Sequence, residues 1–177
     1  AISYLAGSLS SESSTTNRER ASKIANSAKT LVDAMNDIIW TMKSDNNSVK
    51  DVLAYIKKQA AEQLEAADLN FTFAFPAQIP DIKLSSEQKR NVLLISKEII
   101  HNVIKHANAT EVMVTAEIDD RCLQVTITDN GKGFDAGKPS QFGNGLKNMQ
   151  RRAREMNAQL EIFDHAGTAV KLTLTFG

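Results

Sequence analysis

Helix-breaking residues are distributed very unevenly along this chain of 177 residues. The first proline is Pro76, and Gly7 is the only glycine before Gly131. Proline lacks the amide proton that a helix interior needs, and glycine loses more backbone entropy on folding than any other residue. The first third of the chain is therefore predicted to be helical in pattern, and strands are expected only in the remainder.

Apolar residues of the first third repeat at helical spacing, in two runs separated by a polar break over residues 10–17. The runs are Ile2, Leu5 and Leu9, then Ile24, Ala28, Leu31, Met35, Ile38 and Met42. This heptad pattern predicts a hairpin of two amphipathic helices over residues 1–43. Two helices cannot enclose a core around so narrow a seam, which favours a four-helix bundle with a second copy of the chain. Packing of the hairpin on the rest of its own chain is the alternative.

A second region begins after residues 44–47, a polar segment that we interpret as a linker. Ser48 is a suitable N-cap for a helix that reaches about Asp68, because its hydroxyl can accept a hydrogen bond from an amide of the first turn. The apolar positions of this helix again follow helical spacing: Val49, Val52, Leu53, Ile56, Ala60 and Leu64. We expect this face to be buried.

Alternating apolar residues then predict five strands: Phe71, Phe73 and Phe75; Val112, Val114, Ala116 and Ile118; Leu123, Val125 and Ile127; Leu160 and Ile162; Val170, Leu172, Leu174 and Phe176. Short turns join the second strand to the third and the fourth to the fifth, which predicts two antiparallel hairpins. Further helices are predicted from Ser85 or Ser86 to about Ala107 and from about Leu146 to Met156. Because strands and helices do not alternate strictly, residues 48–177 are predicted to form an α+β sandwich, a sheet with helices on one face.

Composition excludes several classes of protein. The 21 basic and 21 acidic side chains cancel, so no charge imbalance favours binding to nucleic acid. The single cysteine, Cys122, cannot form an internal disulfide and fits a reducing compartment such as the cytoplasm. The sequence has neither a run of eighteen apolar residues nor a signal-peptide pattern, so any membrane segment is expected to lie outside this chain.

The predicted helix ending near Ala107 carries a polar stripe on an otherwise apolar surface. Glu98, Asn102, Lys105 and His106 fall at i, i+4, i+7 and i+8 and therefore share one helix face. Burying such groups without partners would be costly, so they are expected to line a wet cleft or to hold a ligand. A solvated helix face is the alternative interpretation.

Two glycine-rich elements follow later in the chain. Asp129-Asn-Gly131-Lys-Gly133 comes directly after a predicted strand, where the carboxylate can accept a hydrogen bond and the glycines let a flat ligand approach the backbone. Gly143-Asn-Gly145 precedes a predicted helix, whose unpaired amides suit a phosphate. Each element is weak alone, because the first is also a common turn and the second falls short of a dinucleotide-binding signature.

The order of these elements is more specific than any one of them. Glu98-x-x-x-Asn102-x-x-Lys105-His106, Asp129-x-Gly131-x-Gly133 and Gly143-x-Gly145-Leu146, followed by Gly167-Thr168, together resemble the GHKL ATPase family. The segments Glu-Ile-Ile-His-Asn-Val-Ile-Lys-His-Ala and Gly-Asn-Gly-Leu-Lys-Asn-Met-Gln-Arg-Arg-Ala resemble the catalytic domain of two-component sensor histidine kinases of the nitrate-sensor and desaturase-regulator type. The resemblance spans about residues 48–177, and residues 1–43 resemble part of the dimerisation and histidine-phosphotransfer hairpin of that family.

The resemblance implies a Bergerat-type ATP-binding sandwich with ATP and Mg²⁺ as cofactors. Asn102 is implied to coordinate the metal, and Glu98 to polarise a metal-bound water or the incoming imidazole, which makes them the implied catalytic pair. The resemblance also implies residues that contact the phosphates, residues that contact the adenine, and a hinge for a lid over residues 134–142. These implied nucleotide-binding residues are Lys105, His106, Asp129, Gly131, Gly133, Gly143, Gly145, Leu146 and Thr168. Thr168 would assist at the adenine through a water molecule.

The chain departs from a complete kinase of this family because no histidine precedes His101. The family's phosphoacceptor lies on the first hairpin helix, whereas His101 and His106 belong to the polar stripe and His165 to a turn. The acceptor is therefore expected upstream of Ala1, and the chain alone is not expected to autophosphorylate. A natural protein without an acceptor is the alternative.

The sequence as a whole thus predicts the cytoplasmic ATP-binding core of a sensor histidine kinase, dimeric through its helical hairpin. The resemblance implies transfer of the ATP γ-phosphoryl group to a histidine and its relay to an aspartate of a response-regulator receiver domain. Two alternatives stay open. One is a nucleotide-gated interaction module without catalysis, and the other is a serine kinase that regulates a sigma factor.

Overall fold

The computed structural model describes residues 14–42, 47–133, 144–164 and 166–176. The chain divides into two compact units, residues 1–43 and 44–177. The described part of the first unit is a single helix, α1, Ser14–Met42. The first predicted helix, at residues 2–9, lies outside the described residues.

The predicted polar break over residues 10–17 is wrong for residues 14–17, because α1 already begins at Ser14. Serine, threonine and asparagine are weak helix formers in a helix interior. In the first turn they cost little, because the amides there have no partner within the helix in any case. Residues 14–17 are therefore helical.

The described residues of the second unit form three α-helices and five strands. They are α2 Val49–Ala66, β1 Asn70–Ala74, α3 Ser86–Asn102, β2 Glu111–Ile118, β3 Cys122–Asp129, α4 Gly145–Glu155, β4 Ala158–Asp164 and β5 Thr168–Thr175. A π-helical turn, Val103–Ala107, continues α3 without a break. The strands form one mixed sheet in the order β1-β2-β3-β5-β4. Both predicted hairpins are confirmed as antiparallel pairs.

Strand β1 runs parallel to β2, in the register Phe71↔Val112 and Phe73↔Val114. The two strands are joined through α3, and a connection of this length is needed to bring a chain back in the same direction. The sheet is therefore mixed.

Capping boxes begin the two long helices of the second unit. The Asp51 amide donates to Ser48 Oγ at 3.2 Å, and the Ser48 amide donates back to Asp51 Oδ2 at 3.1 Å. Ser85 and Gln88 make the same pair of bonds at the start of α3, at 3.1 and 2.9 Å. Each box satisfies two helix-terminal donors, which confirms Ser48 and selects Ser85 as the residue that opens α3.

The core lies between one face of the sheet and the helices. Side chains of β2, β3 and β5 that alternate toward this face are buried: Val112, Val114, Ala116, Leu123, Val125, Ile127, Val170, Leu172 and Leu174. All six apolar positions predicted for α2 are buried as well. Met113, which points to the opposite face of the sheet, is 46% exposed. The predicted α+β sandwich with helices on one face is therefore confirmed.

Asn47, which the sequence assigns to the linker, is bound to the second unit. Its carbonyl accepts a bond from the Leu84 amide at 2.7 Å, and its side chain accepts one from Lys89 Nζ at 2.7 Å. Lys89 is fully buried, and this burial lowers the pKa of its ammonium group, while Asp51 acts in the opposite direction. Asn47 therefore belongs structurally to the sandwich.

No helix in the described ranges is long and apolar enough to cross a membrane.

Candidate nucleotide-binding site

An open cavity lies where the π-helical turn, the end of β3, α4 and the last two strands meet. Most of its lining is apolar: Ile99, Val103, Ala107, Ile127, Leu146, Met149, Ile162 and Val170. Its polar lining consists of Asn102, His106, Asp129, Lys132 and Thr168, together with Gly133. Apolar walls with a few polar groups are typical of sites that bind small molecules or cofactors.

Asp129 is the buried polar group of this cavity, with 4% of its surface exposed. It ends β3 on the same face as Ile127, because side chains two residues apart on a strand point the same way. Its Oδ1 accepts hydrogen bonds from the amides of Gly131 at 2.8 Å and Thr168 at 3.3 Å. Two backbone donors thus fix the carboxylate in place.

The turn after Asp129 packs closely against the end of the π-helical turn. The Lys132 amide donates to the Ala107 carbonyl at 2.9 Å. A Cβ added at Gly131 would overlap that same carbonyl group. Gly131 is therefore required for close backbone packing that shapes the cavity, and Gly133 adopts a φ of 78°, which favours glycine.

The π-helical turn divides the predicted polar stripe. Asn102 and His106 line the cavity, whereas Lys105 is exposed and is not part of the lining. A π turn contains more residues than an α turn, so it changes the directions of side chains relative to a regular helix. The regular helical period on which the prediction of one shared face rests ends at this turn, and Glu98 lies half-buried outside the cavity lining.

Glu98 instead lies against the start of α4. Its carboxylate is so close to Gly145 that a Cβ added there would overlap Oε1. Desolvation lowers the pKa of His101, with Lys105 acting in the same direction and Glu98 against it. Burial and neighbouring arginines lower the pKa of Arg152, whereas Glu98 is among the carboxylates that raise it. Glu98 therefore interacts electrostatically with charged groups on its own helix, α3, and on α4.

The structure describes only some of the remaining predicted site residues. Gly143, the lid over 134–142 and His165 lie outside the described residues. Gly145 is the first residue of α4, and Leu146 next to it lines the cavity. Thr168 also lines the cavity, and the contact that the structure gives it with Asp129 is a direct bond from its backbone amide.

Sequence reasoning missed most of the apolar lining. Ile127 and Met149 could have been found, because one precedes Asp129 by two residues on a strand and the other follows Leu146 by three on a helix. Nothing local marks Ile162 as a lining residue, since β4 comes to the cavity only by pairing with β5.

Divalent metals bound by the protein alone need several donors. Across the described residues, no group of three or more histidine, cysteine, aspartate or glutamate side chains could hold a metal ion. Asn102, which lines the cavity, can offer one hard oxygen donor, which suits an ion that takes its other ligands from phosphates and water, as Mg²⁺ does.

A mixed sheet covered by helices, with a fixed carboxylate in an apolar cavity, places the second unit in the class of nucleotide-binding α+β sandwich domains. Residues 87–177 match the family of histidine kinase-, DNA gyrase B- and HSP90-like ATPases. The chain belongs to this ATPase family.

Two curated relatives are named as sensors. Sensor histidine kinase YvfT of Bacillus subtilis is 34% identical over 106 residues, which is 59% of this chain and 28% of the relative. Sensor protein VraS of Staphylococcus aureus is 34% identical over 97 residues, 54% of this chain and 28% of the relative. The chain thus matches little more than a quarter of the length of these relatives.

Solved structures share the fold at low sequence identity. Histidine kinase AdeS of Acinetobacter baumannii superposes with a TM-score of 0.64 at 13% identity, covering 98% of this chain and 94% of that one. The histidine kinase domain of the blue-light-activated kinase from Erythrobacter litoralis gives a TM-score of 0.59 at 17% identity, over 70% and 60% of the two chains.

Proposed function

We propose that this chain is the ATP-binding kinase core of a two-component sensor histidine kinase. In this proposal it transfers the γ-phosphoryl group of ATP to a histidine, from which the group passes to an aspartate of a response-regulator receiver domain. The observation that carries the proposal is the Asp129 carboxylate, buried in an apolar cavity and fixed by the amides of Gly131 and Thr168. The family match and the sensor relatives support it.

The cavity suits an adenine ring. Because Asp129 Oδ1 accepts from two backbone amides, Oδ2 is the oxygen assigned to the adenine amino group, which is a hydrogen-bond donor. Ile99, Met149 and Ile162 supply apolar surface for the ring. A carboxylate acceptor selects adenine over guanine or hypoxanthine, which present a carbonyl oxygen at the same position.

ATP supplies the transferable phosphoryl group, and Mg²⁺ would neutralise charge on its phosphates. Asn102 is the residue assigned to the metal, and His106, which lines the cavity with it, is assigned to a phosphate oxygen. The exposed Lys105 is assigned to the phosphates beyond the cavity. Glu98, on the same helix as Asn102, is assigned as the base that orients the incoming imidazole. Phosphoryl transfer depends mainly on such positioning and charge neutralisation.

Dimerisation is assigned to the first unit. In α1 the seam residues Leu31, Met35 and Met42 are 56%, 60% and 78% exposed, and Ile38 and Ile39 are also exposed. An apolar row of this kind on a helix favours association with other helices. A four-helix bundle between two copies would cover it.

Binding and transfer are tested separately. Wild-type protein should bind Mg-ATP in calorimetry and should phosphorylate a separately supplied helical hairpin that carries the acceptor histidine. Asn102→Asp should abolish transfer, because its carboxylate would still attract Mg²⁺ but would add a negative charge beside the triphosphate and change how the metal is held. Asn157→Asp, which adds the same charge at an exposed position at the end of α4, is the matched control and should be fully active.

Three results would contradict the proposal. They are no heat with Mg-ATP at millimolar nucleotide, transfer by Asn102→Asp at the wild-type rate, and acid-labile label on the chain alone. The last would mean that a histidine of this chain is itself an acceptor.

A further inference from the structure

The contact between Glu98 and Gly145 joins two helices of the nucleotide-binding site. Gly145 is the first residue of α4, and the side chain of Asn144, the described residue before it, makes no capping hydrogen bond. The first turn of α4 contains no acidic residue either. The Glu98 carboxylate of α3 therefore lies at the positive end of α4, where a negative charge is favoured.

Gly145 differs from the other three glycines in the described residues. A Cβ added at Gly131 or Gly167 would overlap backbone atoms, and Gly133 and Gly167 have positive φ angles that oppose any side chain. A Cβ at Gly145 would instead overlap the end of the Glu98 side chain, while the Glu98 Cγ lies 3.6 Å away. A side chain at this position would thus displace a flexible carboxylate, not the backbone.

The same helix also reaches the nucleotide cavity. Leu146, the next residue, and Met149, one turn further, both line it. Charged groups of both helices interact electrostatically with Glu98, among them Arg152 on α4 and His101 on α3. A movement of α4 relative to α3 would therefore change the surroundings of the Glu98 carboxylate and of the nucleotide together.

We propose that Gly145 is a positioning residue for Glu98. Because Gly145 has no side chain, the Glu98 carboxylate can lie against its α-carbon. This contact holds the proposed base next to the helix that lines the nucleotide cavity. This inference rests on the proposed function, which assigns the base role to Glu98. Gly145 acts here through a side chain of another helix, and this role is distinct from binding phosphate.

The test is a double-mutant cycle with Gly145→Ala and Glu98→Gln. Gly145→Ala should lower phosphoryl transfer to the added hairpin about 10- to 100-fold, the cost of misplacing a reacting group by about 1 Å. Its dissociation constant for Mg-ATP should stay within about threefold of wild type. In the Glu98→Gln background, the same change should alter the rate by less than about twofold, because the group it displaces is already inactive.

A matched control and a second readout complete the test. Gln150→Ala, at an exposed position of α4, should leave both affinity and transfer unchanged. In nucleotide-free protein, the carboxyl ¹³C resonance of Glu98, identified by its loss in Glu98→Gln, should shift in Gly145→Ala and not in Gln150→Ala. This readout needs no nucleotide, so it separates the inference from the proposed function.

Four other outcomes would each overturn the inference. An equal loss of rate in both Glu98 backgrounds would mean that Gly145 does not act through Glu98. A loss of Mg-ATP affinity in proportion to rate would assign Gly145 to the phosphates. Misfolding of Gly145→Ala, or an unshifted Glu98 resonance, would show that the added methyl group does not simply displace the Glu98 side chain. Wild-type protein that binds no nucleotide would refute the proposed function alone.

Discussion

Asp129→Asn is the most direct test of the candidate site, because the structure determines what the new amide must do. The asparagine oxygen can keep the bonds from the amides of Gly131 and Thr168. Its NH₂ group then replaces Oδ2 and presents a donor to the adenine amino group, which is also a donor. The expected loss is that of one hydrogen bond to a charged group, about 1.5–3 kcal/mol. This corresponds to a dissociation constant roughly 10- to 150-fold higher.

Calorimetric titration with Mg-ATP measures this loss, and Asp119→Asn is its matched control. Asp119 Oδ1 also accepts from two backbone amides, those of Arg121 at 2.7 Å and Cys122 at 2.8 Å, but it is exposed in the turn between β2 and β3. Asp119→Asn should therefore bind Mg-ATP with wild-type affinity. Thermal unfolding of both variants checks that the fold is kept.

A second nucleotide tests the reasoning from the opposite direction. Inosine triphosphate carries a carbonyl oxygen where ATP carries the amino group, so the amide of Asp129→Asn should donate to it. The variant should bind inosine triphosphate at least as well as ATP, whereas wild type should prefer ATP. Two results would refute the assignment of Asp129 to the adenine ring. One is an affinity of Asp129→Asn for ATP within about twofold of wild type, and the other is an equal loss of affinity in Asp119→Asn.

Three further predictions follow from particular contacts. Gly131→Ala should abolish detectable Mg-ATP binding in calorimetry and lower the unfolding temperature, because its Cβ would overlap the Ala107 carbonyl; unchanged binding would contradict this. Backbone donors, that of Arg121 foremost, hold the pKa of Asp119 below its ordinary 3.8. Its stabilising effect is therefore present above about pH 4 and is lost as the pH falls through the lower folded-state pKa. The stability difference between wild type and Asp119→Ala, measured by urea unfolding, should shrink from pH 6 to pH 3, and a constant difference would refute this. Deletion of residues 1–43 should convert a dimer into a monomer that still binds Mg-ATP; light scattering that finds a wild-type monomer would contradict it.

Much of the fold could be predicted because it depends on neighbours in sequence. Ser48 was recognisable as a helix start, and Ser85 as one of two candidates with Ser86, since each cap bonds with a residue only three positions away. The alternation of Leu123, Val125 and Ile127 predicted β3, and the structure extends this strand to Asp129, whose side chain is buried like that of Ile127. Such patterns are determined by the geometry of a single helix or strand, which the sequence carries locally.

The candidate site could be predicted only in part, for the same reason. The residue types that would recognise ATP were visible in the order of the motifs. Which of them line the cavity was not visible, because a π-helical turn replaces the regular helix after Asn102, and His106 lines the cavity whereas Lys105 does not. A regular helical period assumes equal turns and cannot anticipate this change.

What the sequence by itself determined is therefore the set of elements, their caps and faces, and the chemical groups available for a nucleotide. Only the tertiary structure decided the parallel pairing of β1 with β2, the β4 contribution to the cavity, and the place of Glu98 against Gly145. These features join residues that are tens of positions apart in the chain. Their energies come from packing between separate elements, and the local periodicity of one element cannot predict which other element packs against it.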